Sequence, residues 1–138
     1  MRKYKTAFVC TGNSCRSQMA EAWAKHLGSE LLESYSAGTH PAKEVNPLAI
    51  SVMKEVGIDM ADFYPKLLDE IPYEIDILIT MGCGVECPYL PNDYKEDWGL
   101  EDPAGKPISA FRETRDMIKS RMLSLIEMIE KEGINRGV

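Results

Sequence analysis

The residues best suited to carry out a chemical reaction lie together near the N-terminus, in segment 10–17. The segment begins with Cys10 and places Arg16 and Ser17 after five intervening residues. A thiolate is a strong nucleophile, and a guanidinium can hold two oxygens of an oxyanion in a bidentate fork. We therefore predict that this segment, called here the oxyanion loop, binds a tetrahedral oxyanion and that Cys10 attacks it.

The surroundings of the oxyanion loop favour this chemistry over a buried cysteine followed by an ordinary turn. A strand-like run precedes the loop and a helical pattern follows it. A loop in this position can point successive backbone N–H groups inward, and the helix adds the positive end of its dipole. The same field favours the thiolate form of Cys10. We expect the oxyanion to be bound by Thr11, Gly12, Asn13, Ser14, Cys15, Arg16 and Ser17.

Three loop residues have additional predicted roles. Gly12 and Asn13 suit the positive φ angles that a tight cradle needs. Ser17 has a side chain suited to cap the following helix, and its hydroxyl is also a possible donor to the Cys10 thiolate. Both roles of Ser17 depend on where the helix begins.

Two features outside the loop also carry chemistry. Asp102, fixed in a loop by Pro103, can act as a general acid that protonates a leaving oxygen, although the spacing alone favours a plain turn. Cys83 and Cys87, separated by three residues, are either two unrelated thiols or a resolving pair that carries a disulfide outward. The residues alone leave both alternatives open.

The elements that position these residues alternate between strand and helix patterns. We predict strands at 4–10, about 31–36, 74–81 and about 94–97, and helices at 17–27, from Pro47 to 56, and from Ser109 to about 131. This order predicts an α/β fold: one domain, residues 1–138, with a four-stranded parallel sheet and helices on both faces. Ligands bind beyond the carboxyl ends of such strands, which places Cys10 and Cys83 at the same edge.

Composition and charge exclude several classes of function. The chain is 44% hydrophobic and 28% charged, as in a globular domain. We find no apolar run of membrane-spanning length and no secretory signal, and we expect a cytoplasmic protein that does not contact a membrane. The net charge of −6 argues against nucleic-acid binding, and it means that an anion site must act locally.

The four cysteines are at positions 10, 15, 83 and 87. In a reducing compartment, catalytic or redox cysteines are expected rather than structural disulfides. The spacing of five between Cys10 and Cys15 lies outside the usual zinc-ligand pattern, and we predict no metal site from these cysteines.

Residues along nearly the whole chain resemble the thioredoxin-coupled arsenate reductases, which share the fold of low-molecular-weight protein tyrosine phosphatases. The phosphatases share Cys10, Asn13, Arg16, Ser17 and Asp102 but usually lack the cysteine pair after the third strand. The stretches that carry the resemblance are 10–21, 35–38, 45–47, 53–56, 87–88, 91, 98–99 and 102–106.

The resemblance implies a mechanism. Cys10 attacks arsenate, which Arg16 and the loop amides hold, and Asp102 assists departure of a hydroxyl. Cys83 then attacks Cys10 and releases arsenite, Cys87 attacks Cys83, and thioredoxin reduces the resulting Cys83–Cys87 bridge. The cysteine pair of the family is usually separated by more than the three residues found here, which bears on the geometry of this handover.

The resemblance also implies cofactors and partners. Some members bind potassium near Asn13, Glu21, Ser36 and an aspartate, and Lys66 stands near the place of that aspartate. We therefore expect weak or no potassium binding, with a lysine ammonium able to occupy the cation's position, and no other metal or organic cofactor. The expected substrate is arsenate, with phosphate or sulfate as competing oxyanions, and we expect a monomer.

Three functions are weighed against each other. The leading hypothesis is arsenate reduction, which the pair Cys83 and Cys87 favours. The runner-up is a phosphatase acting on phosphotyrosine or a small phosphate ester, in which the pair is incidental or regulatory. The third is a non-catalytic thiol-based binder of a metalloid or zinc, which has no use for Arg16 and Asp102.

Overall fold

The structure is a computed structural model that describes residues 3–82 and 90–134. The predicted resolving pair, Cys83 and Cys87, lies outside the described residues. The described strands form one parallel sheet in the order β2-β1-β3-β4. In chain order the elements are β1 (Tyr4–Cys10), α1 (Arg16–Leu27), β2 (Leu32–Gly38), α2 (Pro47–Glu55), a 3₁₀ helix (Leu68–Glu70), β3 (Ile77–Thr80), β4 (Tyr94–Asp97) and α3 (Ile108–Glu132).

The core lies on both faces of the sheet because side chains of a strand alternate between the two faces. On one face, Phe8 and Ile79 pack in a cluster to which α1, α2 and α3 contribute. On the other face, Val9 and Leu78 pack with Ile71, and Leu68 of the 3₁₀ helix lies against them. The predicted α/β fold with a four-stranded parallel sheet is confirmed, and among the described residues the three α-helices pack on one face while the 3₁₀ helix lies on the other.

Local sequence signals explain where two of the helices form. Asn46 caps α2, since its Oδ1 accepts a hydrogen bond of 2.9 Å from the amide of Leu48, and Pro47 is the first helical residue as predicted. The helix α3 buries a stripe at helical spacing, which packs it lengthwise on the core. The stripe consists of Phe111, Thr114, Ile118, Met122, Leu125 and Ile129.

Some predicted boundaries were wrong. The strand β3 is limited to Ile77–Thr80, shorter than the predicted 74–81, because β4 and β1 pair with it only over these residues. The strand β2 runs on to Gly38, beyond the predicted end at 36, because its pairing with β1 continues to Cys10.

Within the described residues, no helix is both long and apolar enough to cross a membrane.

A cluster of charged side chains joins α2 to α3. The carboxylate of Glu55 accepts hydrogen bonds from Arg112 at 2.8 Å and from Arg115 at 2.8 Å. These guanidinium donors lower the pKa of Glu55 from its ordinary 4.5 to about 2. The cluster therefore favours the folded state above about pH 4.5, and this contribution is lost as the pH falls towards 2.

We predict that Glu55→Gln lowers the melting temperature at pH 7 by about 1–3 °C, a small effect because the cluster is exposed and screened by solvent. The difference from the wild type should shrink as the pH is lowered towards 2, where the carboxyl is protonated in both proteins. Thermal unfolding measured by circular dichroism checks this, with Glu127→Gln, which removes a carboxylate from an exposed pair within α3, as the control. A difference that is constant over this pH range would contradict the prediction.

Candidate active site

The oxyanion loop connects the carboxyl end of β1 to the first turn of α1. Cys10 is the last residue of β1, and α1 begins at Arg16 with Cys15 at the cap position, where no side-chain capping hydrogen bond is made. The prediction that Ser17 caps this helix was wrong, because the loop is tighter than assumed and Ser17 already lies in the first turn. The uncapped N–H groups of that turn are of the kind that bind anions.

The carbonyl groups of the loop point away from its centre. The carbonyl oxygens of Thr11, Gly12 and Ser14 each accept a hydrogen bond of 2.9 Å, from the amides of residues 40, 42 and 46 respectively. In a trans peptide the N–H group points opposite to the carbonyl of the preceding residue. The amides of residues 12, 13 and 15 therefore point inward, as the predicted anion nest requires.

Two residues allow the loop to take this shape. Asn13 has a positive φ of 48°, as predicted, whereas Gly12 does not take a positive φ. Gly38, at the end of β2, lies so close to the loop that a Cβ atom there would come within 2.5 Å of the Thr11 carbonyl oxygen. Any other residue at position 38 would push the loop away from the sheet.

The sulfur of Cys10 lies among hydrogen-bond donors. The Sγ atom is 2.8 Å from the hydroxyl oxygen of Ser17 and accepts a hydrogen bond of 3.3 Å from the amide of Asn13. The Asn13 Nδ2 group donates to the Ser17 hydroxyl oxygen at 2.7 Å, which leaves the hydroxyl proton free to point at the sulfur. This arrangement suits a thiolate at position 10, as predicted for Ser17, while the contribution of Asn13 to it was not predicted.

Further contacts, not expected from the sequence, hold Asn13 in place. Its Oδ1 atom accepts hydrogen bonds from the Gln18 side chain at 2.9 Å and from the Lys66 amide at 2.8 Å. The Gln18 amide group also donates to the Asn13 carbonyl at 3.0 Å and to the Tyr64 carbonyl at 2.9 Å. The side-chain orientation that serves the Cys10 sulfur therefore depends on a segment fifty residues further along the chain.

Cys15 differs from Cys10 although both belong to the loop. Both side chains are buried, and for Cys15 this burial raises the pKa of the thiol to about 11. Its sulfur lies 3.7 Å from the Ser14 hydroxyl oxygen. Cys15 therefore stays a thiol near neutral pH, and its contribution to the predicted cradle is its backbone amide.

Arg16 connects the loop to the segments that follow β3 and β4. Its side chain is buried, and Nη1 donates to the carbonyl oxygens of Met81 at 2.7 Å and Leu100 at 3.0 Å. Its Nη2 atom lies 3.7 Å from Oδ2 of Asp102. The structure thus brings together two residues that are 86 positions apart and that were both predicted from the sequence for this site.

The position of Asp102 agrees with both interpretations of its sequence, a plain turn and a general acid. One carboxylate oxygen accepts a hydrogen bond of 3.0 Å from the Ala104 amide, as in an ordinary Asx turn. The side chain is nevertheless 53% exposed and faces the Arg16 guanidinium. A carboxyl that is held by a turn, open to solvent and beside the oxyanion arginine is suited to transfer a proton to a leaving oxygen.

The place where the resemblance implies potassium contains ammonium groups instead. Ser36 donates to Oε1 of Glu21 at 2.5 Å, Lys25 pairs with Oε2 at 2.6 Å, and the Lys66 ammonium lies 3.8 Å from Oε1. Lys66 also donates to the Tyr64 carbonyl at 2.9 Å. Burial lowers the pKa of Lys66, and the nearby Glu21 carboxylate opposes this shift. Two ammonium groups therefore face the Glu21 carboxylate.

Side chains that commonly ligate metals are not clustered in the described part of the chain. Within residues 3–82 and 90–134, no three or more histidine, cysteine, aspartate or glutamate side chains are grouped so that they could hold a metal ion.

Described residues of the site that were predicted from the sequence, from Cys10 to Ser17 and Asp102, lie together at the carboxyl ends of the strands. The contributions of Gln18, Gly38 and the Lys66 amide to the shape of the site were not predicted from the sequence.

Comparison with known proteins identifies the class. The family described as low molecular weight phosphotyrosine protein phosphatase matches residues 5–135 of this chain. The chain belongs to this family, and the resemblance stated from its sequence is confirmed.

Relatives within the family have a narrower description. An arsenate reductase of Staphylococcus aureus (strain Newman) is 50% identical over 125 residues, which cover 86% of this chain and 93% of the relative. A solved arsenate reductase in the phosphate binding state is 40% identical, with a TM-score of 0.83 and coverage of 91% and 98%. A thioredoxin-dependent arsenate reductase of Corynebacterium glutamicum is 32% identical, with a TM-score of 0.77 and coverage of 94% and 63%.

We predict that iodoacetamide alkylates Cys10 rapidly at neutral pH and leaves buried Cys15 unmodified, with peptide mass spectrometry locating the label. Ser17→Ala should slow the labelling of Cys10 by about tenfold or more, because a hydrogen bond to a charged group contributes roughly 1.5–3 kcal/mol. Inorganic phosphate should protect Cys10 in the wild type. Ser51→Ala, which alters an exposed serine of α2, serves as the control. Equal labelling rates in Ser17→Ala and wild type would show that the hydroxyl does not stabilise the thiolate.

Proposed function

We propose that this protein is an arsenate reductase that converts arsenate to arsenite through a thiol–disulfide relay and is regenerated by thioredoxin. The observation that carries the proposal is the Cys10 sulfur, bonded to Ser17 and Asn13 in a loop whose amides point inward beside Arg16. Relatives of 50% and 40% identity are arsenate reductases, which supports this oxyanion. The thioredoxin dependence of the Corynebacterium relative supports the electron donor.

The first step forms a bond between sulfur and arsenic. The loop amides and Arg16 hold the arsenate oxygens, and the Cys10 thiolate attacks arsenic(V) in line with one As–OH bond. Asp102 supplies a proton to that oxygen, and water leaves. The product is a Cys10 thiol-arsenate adduct in which arsenic is still pentavalent, so no electron has been transferred at this stage.

The second step transfers two electrons. The Cys83 thiolate attacks the Cys10 sulfur, the S–S bond forms, and the S–As bond breaks with its electron pair going to arsenic. Arsenic(III) leaves as arsenite, and two thiols have become one disulfide. In sum, arsenic acid and two thiols give arsenious acid, one disulfide and one water. A phosphatase-like cradle therefore needs a second thiol for this chemistry, and Cys83 supplies it in the proposal.

The last step restores the nucleophile. The Cys87 thiolate attacks the Cys83 sulfur, which releases Cys10 as a thiolate and leaves a Cys83–Cys87 disulfide. A reduced thioredoxin dithiol then exchanges with that bridge and carries the two electrons in. Since both cysteines lie outside the described residues, this part of the proposal is based on their presence in the sequence and on the relatives.

A phosphatase is the second candidate, because every described site residue also suits a phosphate ester and the family description is that of a phosphatase. Phosphate and arsenate have the same shape and charge, and the cradle does not distinguish them. The two candidates differ in what resolves the Cys10 adduct, which is water in a phosphatase and a thiol in a reductase.

We predict arsenite formation from arsenate when the protein is supplied with thioredoxin, thioredoxin reductase and NADPH, measured as NADPH oxidation and by arsenic speciation. Without thioredoxin, formation should stop after about one arsenite per protein, since one dithiol supplies two electrons. Hydrolysis of para-nitrophenyl phosphate is measured beside it. Hydrolysis of the ester, together with no arsenite from arsenate either with or without thioredoxin, would favour the phosphatase.

We predict that Cys87→Ser releases one arsenite and then stops with a Cys10–Cys83 disulfide, which non-reducing peptide mapping detects. Cys10→Ser and Cys83→Ser should release none, whereas Cys15→Ser should turn over repeatedly. Cys15 is the matched control because it is a cysteine of the same loop whose pKa burial raises to about 11. Full steady-state activity of Cys87→Ser would contradict the relay.

We also propose that the protein needs no metal or organic cofactor and that Lys66 takes the place of potassium. The melting temperature of the wild type should be the same in potassium and sodium chloride. Lys66→Asp removes one ammonium and adds a carboxylate beside Glu21, and its melting temperature should rise with potassium because binding to the folded state alone stabilises it. Lys66→Met, which adds no carboxylate, is the control. Potassium stabilisation of the wild type would contradict this prediction.

A further inference from the structure

One carboxylate outside the oxyanion loop is bonded to both segments that frame the site. Asp97 is the last residue of β4 and lies opposite Thr80, the last residue of β3. Its Oδ1 atom accepts hydrogen bonds from the Thr80 hydroxyl at 3.0 Å, the Gly82 amide at 2.7 Å and the Gly99 amide at 3.3 Å. Asp97 thus ties the chain that leaves β3 to the chain that leaves β4.

The backbones at these two points are in close contact. A Cβ atom at Gly82 would lie 3.1 Å from the Cα of Gly99, and both glycines have positive φ angles, 89° and 58°. Neither amide has a regular strand partner at its position, since β3 and β4 end at Thr80 and Asp97. An ionised carboxylate oxygen carries no proton and only accepts hydrogen bonds, so it suits several donors that converge on one point.

Arg16 ties the same two segments from the side of the site. Its Nη1 donates to the carbonyls of Met81 and Leu100, the neighbours of Gly82 and Gly99. Asp97 and Arg16 therefore form two adjacent cross-links between the segments 81–82 and 99–100. The hydrogen bonds of the Asp97 side chain in the described part of the chain go to these segments and to Thr80, and not to the oxyanion loop.

We propose that Asp97 is a positioning residue that sets the separation of these two segments. One segment continues within two residues to Asp102, and in the other Gly82 is bonded directly to Cys83. Asp97 therefore acts on the steps that use Asp102 and Cys83, and leaves the binding of the oxyanion by residues 10–17 unchanged. The part that concerns Cys83 rests on the proposed arsenate reduction.

The test compares three variants. Asp97→Ala removes the acceptor, and Asp97→Asn keeps an acceptor oxygen in the same place. Glu96→Gln is the matched control, because the neighbouring Glu96 carboxylate accepts from Tyr94 and Trp98 instead. Melting temperatures show that each protein is folded at the assay temperature.

In Asp97→Ala we expect arsenite release in a single turnover to slow by about 10–100-fold, the range for a catalytic group misplaced by about 1 Å. The KM for arsenate and the protection of Cys10 by inorganic phosphate should remain those of the wild type. Asp97→Asn should restore most of the rate, and Glu96→Gln should behave as the wild type. A lower kcat with an unchanged KM, reversed by the isosteric variant, is not expected from a general loss of structure.

Amide hydrogen exchange gives a readout that is independent of catalysis. The amides of Gly82 and Gly99 should exchange faster in Asp97→Ala than in the wild type, while those of residues 12, 13 and 15 should not change. Unchanged exchange at Gly82 and Gly99, a wild-type release rate in Asp97→Ala, or an equal loss of phosphate protection would each overturn the proposal. A wild-type protein that forms no arsenite would instead defeat the proposed function, and the exchange measurement would still decide the role of Asp97.

Discussion

The constraint on which the site depends is the direction of the peptide groups in the oxyanion loop. Three of its carbonyls are bonded to the amides of residues 40, 42 and 46, so the opposite amides must face inward. This orientation requires segment 40–46 to lie against the loop. That in turn requires Gly38, since a side chain there would meet the Thr11 carbonyl. The anion nest is therefore built from β2 and the chain after it as much as from residues 10–17.

A second consequence concerns charge. The chain carries a net charge of −6, so attraction of an oxyanion and stabilisation of a thiolate must come from local groups. At the front of the loop, these local groups are the inward-pointing amides, the first turn of α1 and Arg16. Behind it, Asn13 is fixed by Gln18 and the Lys66 amide, and the Lys66 ammonium faces Glu21. The Lys66 ammonium, which also donates to the Tyr64 carbonyl, is the cation that we propose takes the place of potassium in this layer.

The sequence predicted what depends on local chemistry. The strand before the loop, the start of α2 at Pro47 and the strand Tyr94–Asp97 follow from pattern, whereas the role of Asp102 at the site was implied by the resemblance. The contacts of Gln18, Lys66 and Asp97 did not, because each joins segments whose separation is set by packing of the whole sheet. Ser17 was given two roles, and only the tertiary structure, which starts α1 one residue earlier, decides that its hydroxyl serves Cys10.

The cradle itself does not separate reduction from ester hydrolysis, since phosphate and arsenate present the same tetrahedron of oxygens to the same amides. The difference arises at the sulfur adduct, because arsenic(V) can accept an electron pair from an S–As bond and phosphorus(V) in this setting cannot. The outcome is therefore decided by the group that reaches Cys10 next. In the proposed relay that group is a thiol from the chain after β3, and Arg16 and Asp97 bond to the segments that follow β3 and β4. In the proposed relay, the geometry between these two strand ends therefore bears on the chemistry as directly as the oxyanion loop does.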